Sequence, residues 1–150
     1  MNSKLVSSID AVARSRLVTI GANATLVDAA RVLSDTQISL VVVCNPDGAM
    51  VGVITKTDIV RQIGHCEGSA CARVAADVMT CDVAYCRPTD CLPDVLAVMH
   101  KRGFVHIPVV DQAFKPIAVV NARDALRELL AQEKYEESLL RDYVMGVGYR

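Results

Sequence analysis

The chain has 150 residues, a formal net charge of −1 and 52% hydrophobic residues, enough for one sizeable core or two small halves that share one. The near-neutral charge leaves no electrostatic footprint for nucleic acid, and no apolar run approaches the roughly 18 residues that span a bilayer. Met1-Asn2-Ser3-Lys4 lacks the apolar stretch of a signal peptide, so the expected location is cytoplasmic.

A short strand is expected at Leu17-Val18-Thr19-Ile20. Thr25 then opens a helix. Asp28, three residues on, completes a capping box, and Leu26, Ala29, Ala30 and Leu33 recur at helical spacing. Ser39 to Cys44 is apolar and β-branched, as buried strands are. Asn45-Pro46-Asp47-Gly48 is a turn, Met50 to Ile54 the next strand, and Thr55 to Ile63 a helix ended by Gly64. The order is β-α-β-β-α. Residues 64–74, rich in Gly, Ser and Ala, read as an exposed linker. The plan then repeats. Ala84-Tyr85-Cys86 is the short strand, Leu92 to Lys101 the helix, with Val95, Leu96 and Met99 on its apolar face, and His106–Val110 and Ile117–Val120 the strand pair. The last helix starts near Asn121 and is expected to continue to about Val144. Its stripe of Leu126, Leu129, Leu130, Leu139 and Leu140 offers a dimer or partner surface. The final residues from Gly146 are expected to be disordered.

The two plans are one unit written twice, 66 residues apart. Gly52 to Ile59 falls on Ala118 to Ala125, Leu26 on Leu92, Val43 on Val109 and Arg61 on Arg127; carried upstream without a gap, the register sets Val12 on Val78. Such a duplication predicts an α/β fold of two pseudo-twofold-related units packed face to face. Paired clefts follow, with a carboxylate at the same point of each, Asp58 and Asp124. The boundaries read as repeat 1 at 5–65, a linker at 66–75, repeat 2 at 76–131, and a helical extension and tail at 132–150.

Thr55-x-x-Asp58 and Asn121-x-x-Asp124 both have the form of a helix cap. An ionised carboxylate also accepts from two adjacent hydroxyls, and helix N-termini present N–H groups to phosphate. Arg123 adds a forked cation to one copy and Lys56 a point charge to the other. Asp28 and Asp94 match in position, and for them capping suffices as a role.

With motif, register and strand order in place, residues 5–131 resemble a pair of CBS domains, a Bateman module. Copy one carries the family's G-h-h-T/S-x-x-D signature in full at Gly52, Thr55 and Asp58, where h is apolar. Copy two keeps Asp124 but has Ala118 for Gly and Asn121 for Thr or Ser. The strand His106-Ile107-Pro108-Val109-Val110 is also similar to the family's segment before the motif. The resemblance implies two clefts that bind adenosine ligands: AMP, ADP, ATP, S-adenosylmethionine or an NAD-type dinucleotide. It implies ribose contacts at Asp58 and Asp124, ribose or phosphate contacts at Thr55, Thr57, Asn121 and Arg123, and an adenine flanked by strand residues. Val53, His106, Ile107, Pro108 and Val119 are the strand residues expected at the ligand. Positive charge at Arg123, with Arg87 and His106 as neighbours, makes the Asp124 side the expected tighter site for a phosphorylated adenosine.

No nucleophile–base–orienter set and no Gly-rich phosphate loop is present, so a regulatory module and not an enzyme is expected. It is expected to form a homodimer and to signal to a protein target that the sequence does not identify, with no nucleic-acid or membrane partner. One alternative is an interaction module with empty clefts. A weaker one is a metal or redox sensor using His65, Cys66, Cys71 and Cys81. The six cysteines form no C-x-x-C pair, and the expectation is reduced thiols acting as small apolar groups, with no metal site and no required cofactor.

Overall fold

The computed structural model describes residues 4–36, 38–65 and 73–131. A 3-10 turn, Val6–Ile9, leads into α1, Asp10–Ser15. Then come β1 (Thr19–Gly21), α2 (Leu26–Thr36), β2 (Leu40–Cys44), β3 (Met50–Thr55) and α3 (Lys56–His65). The second half has α4 (Ala75–Val78), α5 (Leu92–Arg102), β4 (His106–Val110), β5 (Pro116–Asn121) and a helix α6 that is described over 122–131. The expected extension beyond 131 lies outside the described residues.

β1 runs parallel to β2, which pairs antiparallel with β3. β4 and β5 pair antiparallel in the same register, His106 opposite Asn121 as Leu40 is opposite Thr55. Each half has its own core of helix and sheet residues, centred on Leu26, Ala29 and Leu33 in one and Leu92, Val95 and Met99 in the other. A third cluster joins them: Leu40, Val42, Met50 and Val53 meet Val110 and Val119 between the two sheets. The β-branched strand residues thus serve both faces, which explains why β2 and β4 read as continuous apolar runs instead of alternating ones.

The expected strand Ala84–Cys86 is reduced to a single parallel bridge, Cys86 to Val109. Two prolines account for this. In the first half Ala22 N–H donates to the Cys44 carbonyl and Val42 N–H to the Val18 carbonyl. Their counterparts are Pro88 and Pro108, which have no N–H to donate. Gly64 does not end α3 but lies within it. Gly103, at φ 72°, does close α5 in the left-handed conformation that suits glycine.

The upstream register also differs from the gapless expectation. Each half begins with a helical leader that packs on the other half. Val6 N–H donates to the Asp90 carbonyl, Ser7 N–H to Pro88, and Leu92 N–H to Lys4. The reciprocal set is Ala75 to Ala24, Ala76 to Ala22 and Leu26 to Arg73. Leader residues therefore correspond at a spacing of 69, Val6 with Ala75 and Ile9 with Val78, while the rest keeps 66. Copy one has three more residues between leader and strand, and that interval holds the helix α1, which has no helical counterpart after α4. Arg73 and Val74 are consequently paired to the first half and are not free linker. Residues 66–72 lie outside the described set.

Candidate functional site

The capping boxes position the motif carboxylates. At the start of α3, Thr55 N–H donates to Asp58 Oδ2 at 2.9 Å and Asp58 N–H to Thr55 Oγ1 at 3.2 Å. The same reciprocal pair joins Thr25 and Asp28. At α5 the box is absent. Cys91 stands where Thr25 stands in copy one and makes no side-chain cap, so Asp94 does not complete the expected capping pair.

Asp58 is part of a cavity of about 360 Å³ between the halves. Thr55, Lys56, Thr57 and Asp58 form its polar end. Val53, Leu40, Val83, Phe104, Val105 and Pro108 supply apolar wall, with Ser39, Asp82 and His106 as further polar lining. The size and the mixture suit a small-molecule site. Asp58 Oδ2 is committed to the cap, while among the described residues Oδ1 has only the exposed Arg61 at 3.5 Å, the edge of hydrogen-bond range.

Of the residues expected from the sequence, Val53, Thr55, Thr57, Asp58, His106 and Pro108 meet around this cavity. Ile107 does not: it packs in the second half's core. Val119 packs in the cluster between the sheets. Asn121, Arg123 and Asp124 belong to the pseudo-equivalent side. There Asn121 Oδ1 accepts the N–H groups of Arg123 and Asp124, which caps α6. The reciprocal half of the box is missing, because both Asp124 oxygens are taken by Arg16. Nε lies 2.9 Å from Oδ2 and an Nη 3.0 Å from Oδ1, a forked pair with Asp124 only 2% exposed. The carboxylate holds the Arg16 guanidinium above its usual, already high pKa.

His106 lies between the two sides. Asn121 Oδ1 is an acceptor, so Asn121 Nδ2 must donate to His106 Nε2, at 3.0 Å. The imidazole proton then sits on Nδ1, 3.2 Å from Ser39 Oγ. This neutral form agrees with a pKa held below the usual value, by burial first and by the Arg16 charge second, with Asp124 pulling the other way.

Arg87 and Tyr85 serve surface packing: the guanidinium donates to the Asp111 carbonyl and lies 5.7 Å from the Tyr85 ring, which meets Phe114 edge-on. Burial pushes the Cys86 thiol up to about 12, aided by Asp90, and raises that of Cys44. Both stay protonated, which fits an apolar role. Cys66 and Cys71 lie outside the described residues, and among the described residues no group of His, Cys, Asp and Glu is placed to hold a metal ion. No helix among them is long and apolar enough to cross a membrane.

Sequence reasoning missed Arg16, Asp82 and Ser39. A signal for the first two was present: positions 16 and 82 are 66 residues apart, at the repeat spacing, and carry opposite charges.

The architecture is shared with solved structures. The CBS domain pair of protein MJ0100, solved with 5′-methylthioadenosine and S-adenosyl-L-methionine, matches with a TM-score of 0.75 at 22% identity, over 87% of this chain and 99% of that one. CBSX2 in complex with AMP matches at 0.74 and 20% identity, over 86% and 98%. In sequence, a 17.7 kDa protein of Acidianus ambivalens is 24% identical over 144 residues, 96% of this chain and 86% of that protein. A homoserine O-acetyltransferase of Methanobrevibacter ruminantium is 29% identical over 103 residues, and this chain spans 20% of that enzyme's length. The CBS domain family itself matches residues 6–65 and 74–131, the two halves each with its leader, and the chain belongs to that family as a tandem pair of CBS domains.

Proposed function

We propose that the chain is a regulatory module that binds an adenosine-containing ligand in the cleft at Asp58. The observation that carries this reading is the cavity itself: a motif carboxylate with one oxygen held by the cap and the other by a long 3.5 Å contact to exposed Arg61, two threonines and a lysine at one end, and apolar strand residues across from them. Asp58 Oδ1 would accept from the ribose hydroxyls, Thr55 and Thr57 would hold ribose or phosphate, and Val53 and Pro108 would flank the base. The family supports the ligand class, and the AMP and S-adenosylmethionine in two structural relatives agree with it. We assign the first ligand to Asp58 and not to Asp124 and Arg123, as charge alone had favoured, because Arg16 already bonds both Asp124 oxygens. Acetyl transfer is not part of this reading, since the acetyltransferase match extends over one fifth of that enzyme.

Binding would act by biasing the packing between the halves, or between protomers, for a protein target to read. Self-association is part of the proposal. Val60 on α3 and Leu126 on α6 are pseudo-equivalent, and both are exposed, at 68% and 49%. The deciding experiment is calorimetry with AMP, ADP, ATP and S-adenosylmethionine on the wild type and Asp58→Ala, with folding checked by circular dichroism. One ligand per chain is expected to dominate, bound about tenfold or more weakly by the variant. Failure of the wild type to bind any of the four sinks the reading.

A further inference from the structure

Positions 16 and 82 break the symmetry of the two clefts. The residues that follow them, Leu17 and Val83, pack into the same central cluster, so the correspondence holds in space as well as in sequence. Asp82 lines the open cavity with Asp58, and like charges do not pair. Arg16, set at the end of α1, instead donates its forked N–H groups to both oxygens of Asp124. The other partner of each carboxylate matches: Arg61 lies 3.5 Å from Asp58 and Arg127 3.7 Å from Asp124. The Arg16 guanidinium therefore marks the difference between the two motif carboxylates, Asp58 being 15% exposed at the cavity and Asp124 2%.

We propose that Arg16 is a built-in occupant of the second cleft, holding closed a latent site for the same class of adenosine ligand; this rests on the ligand reading above. Asp124 is 2% exposed, so its oxygens need hydrogen-bond donors, which adjacent ribose hydroxyls would supply as the guanidinium does now. The Arg16 side chain is 39% exposed, so on displacement its charge passes into water over a short path. Because Arg16 is tethered, Asp124 meets it at an effective concentration on the order of millimolar. A free ligand therefore fills the Asp58 cleft first and the Asp124 cleft only at much higher concentration.

The test uses calorimetry with AMP and with S-adenosyl-L-methionine on the doubly substituted chain Asp58→Ala/Arg16→Ala, which leaves only the second cleft. Binding of either probe, at least about tenfold tighter than by Asp58→Ala alone and lost again on adding Asp124→Asn, is the expected result. No binding of either probe to the folded double variant overturns the proposal, even if the wild type binds through Asp58. The opposite pattern, a silent wild type with a binding double variant, would sink the Asp58 reading and the order of filling, and would leave only Arg16 as the occupant of the second cleft. Arg16→Gln, which keeps one donor for the carboxylate, replaces Arg16→Ala if the latter does not fold. If neither folds, Arg16 is a structural counter-charge and not a displaceable occupant, and the proposal falls.

Discussion

Met79 lies directly across Gly52. A Cβ built at position 52 would come within 2.6 Å of Met79 Sδ and 2.8 Å of the Thr80 carbonyl oxygen. The methionine can move, but the carbonyl cannot, because Thr80 and Val53 exchange backbone hydrogen bonds of 2.9 and 3.0 Å. The motif glycine is thus required by the second half's leader lying on β3. In the other half the segment that follows the leader is the helix α1, and alanine is accommodated at the equivalent position 118. Gly52→Ala is expected to destabilise the chain by about 1–3 kcal/mol, the usual cost of overpacking a tight contact. A urea midpoint equal to the wild type's would refute this account of the glycine.

Cys91 offers a gain of stability. It occupies the N-cap of α5 without a side-chain bond, while its counterpart Thr25 shares a reciprocal box with Asp28. Asp94 already stands three residues on. Cys91→Thr is expected to complete the box and stabilise the chain by about 1 kcal/mol, the typical worth of such a cap. Cys91→Val, similar in size but unable to cap, is the control. Equal melting temperatures for the two variants would show that no cap forms.

The proposed self-association has a specific target. Val60 and Leu126 each sit one turn into the helix that follows a motif strand, and their exposure is high for branched aliphatic residues. Val60→Lys/Leu126→Lys is expected to shift the mass measured by light scattering from dimer to monomer at micromolar concentration, with the circular dichroism spectrum unchanged. A wild type that is already monomeric, or a variant that remains dimeric, would remove this face from consideration.

Much of the fold was legible because the repeat made it so. Asp58 and Asp124 in one register, each after a strand pair and before a helix, fixed the order of elements and the existence of paired sides. What escaped had physical causes that act across the halves. Pro88 and Pro108 cut a strand by removing donors, an effect that local apolar pattern does not carry. The leaders, Val6–Ile9 and Ala75–Val78, pack on the opposite half, so their three-residue shift changes no local periodicity. The engagement of Asp124 was missed for the same reason. Arg16 and Asp124 are 108 residues apart, and nothing within either motif announces the pair. The cap-like spacing at Asn121 even pointed to symmetry, yet only the asparagine's half of the box forms.

His106 makes the stability depend on pH in a defined direction. Its neutral form accepts from Asn121 Nδ2, and adding a proton to Nε2 would set donor against donor. Burial and the Arg16 charge lower its pKa below 6.5 in the folded chain. In the unfolded chain it returns to about 6.5. Between those two values the unfolded state binds more protons, so stability falls as the pH drops below about 6.5 and stops falling, on this residue's account, once the folded pKa is passed. Above about 6.5 the residue contributes no slope. His106→Gln keeps an acceptor for Asn121 without a titrating proton. Urea unfolding at several values between pH 5 and pH 8 should therefore show a steeper acid loss for the wild type than for the variant. His65, His100 and the carboxylates are common to both and cancel in the difference. Parallel curves would mean that His106 takes up its proton in the folded chain as readily as in the unfolded one, and the neutral link between Ser39 and Asn121 would have to be abandoned.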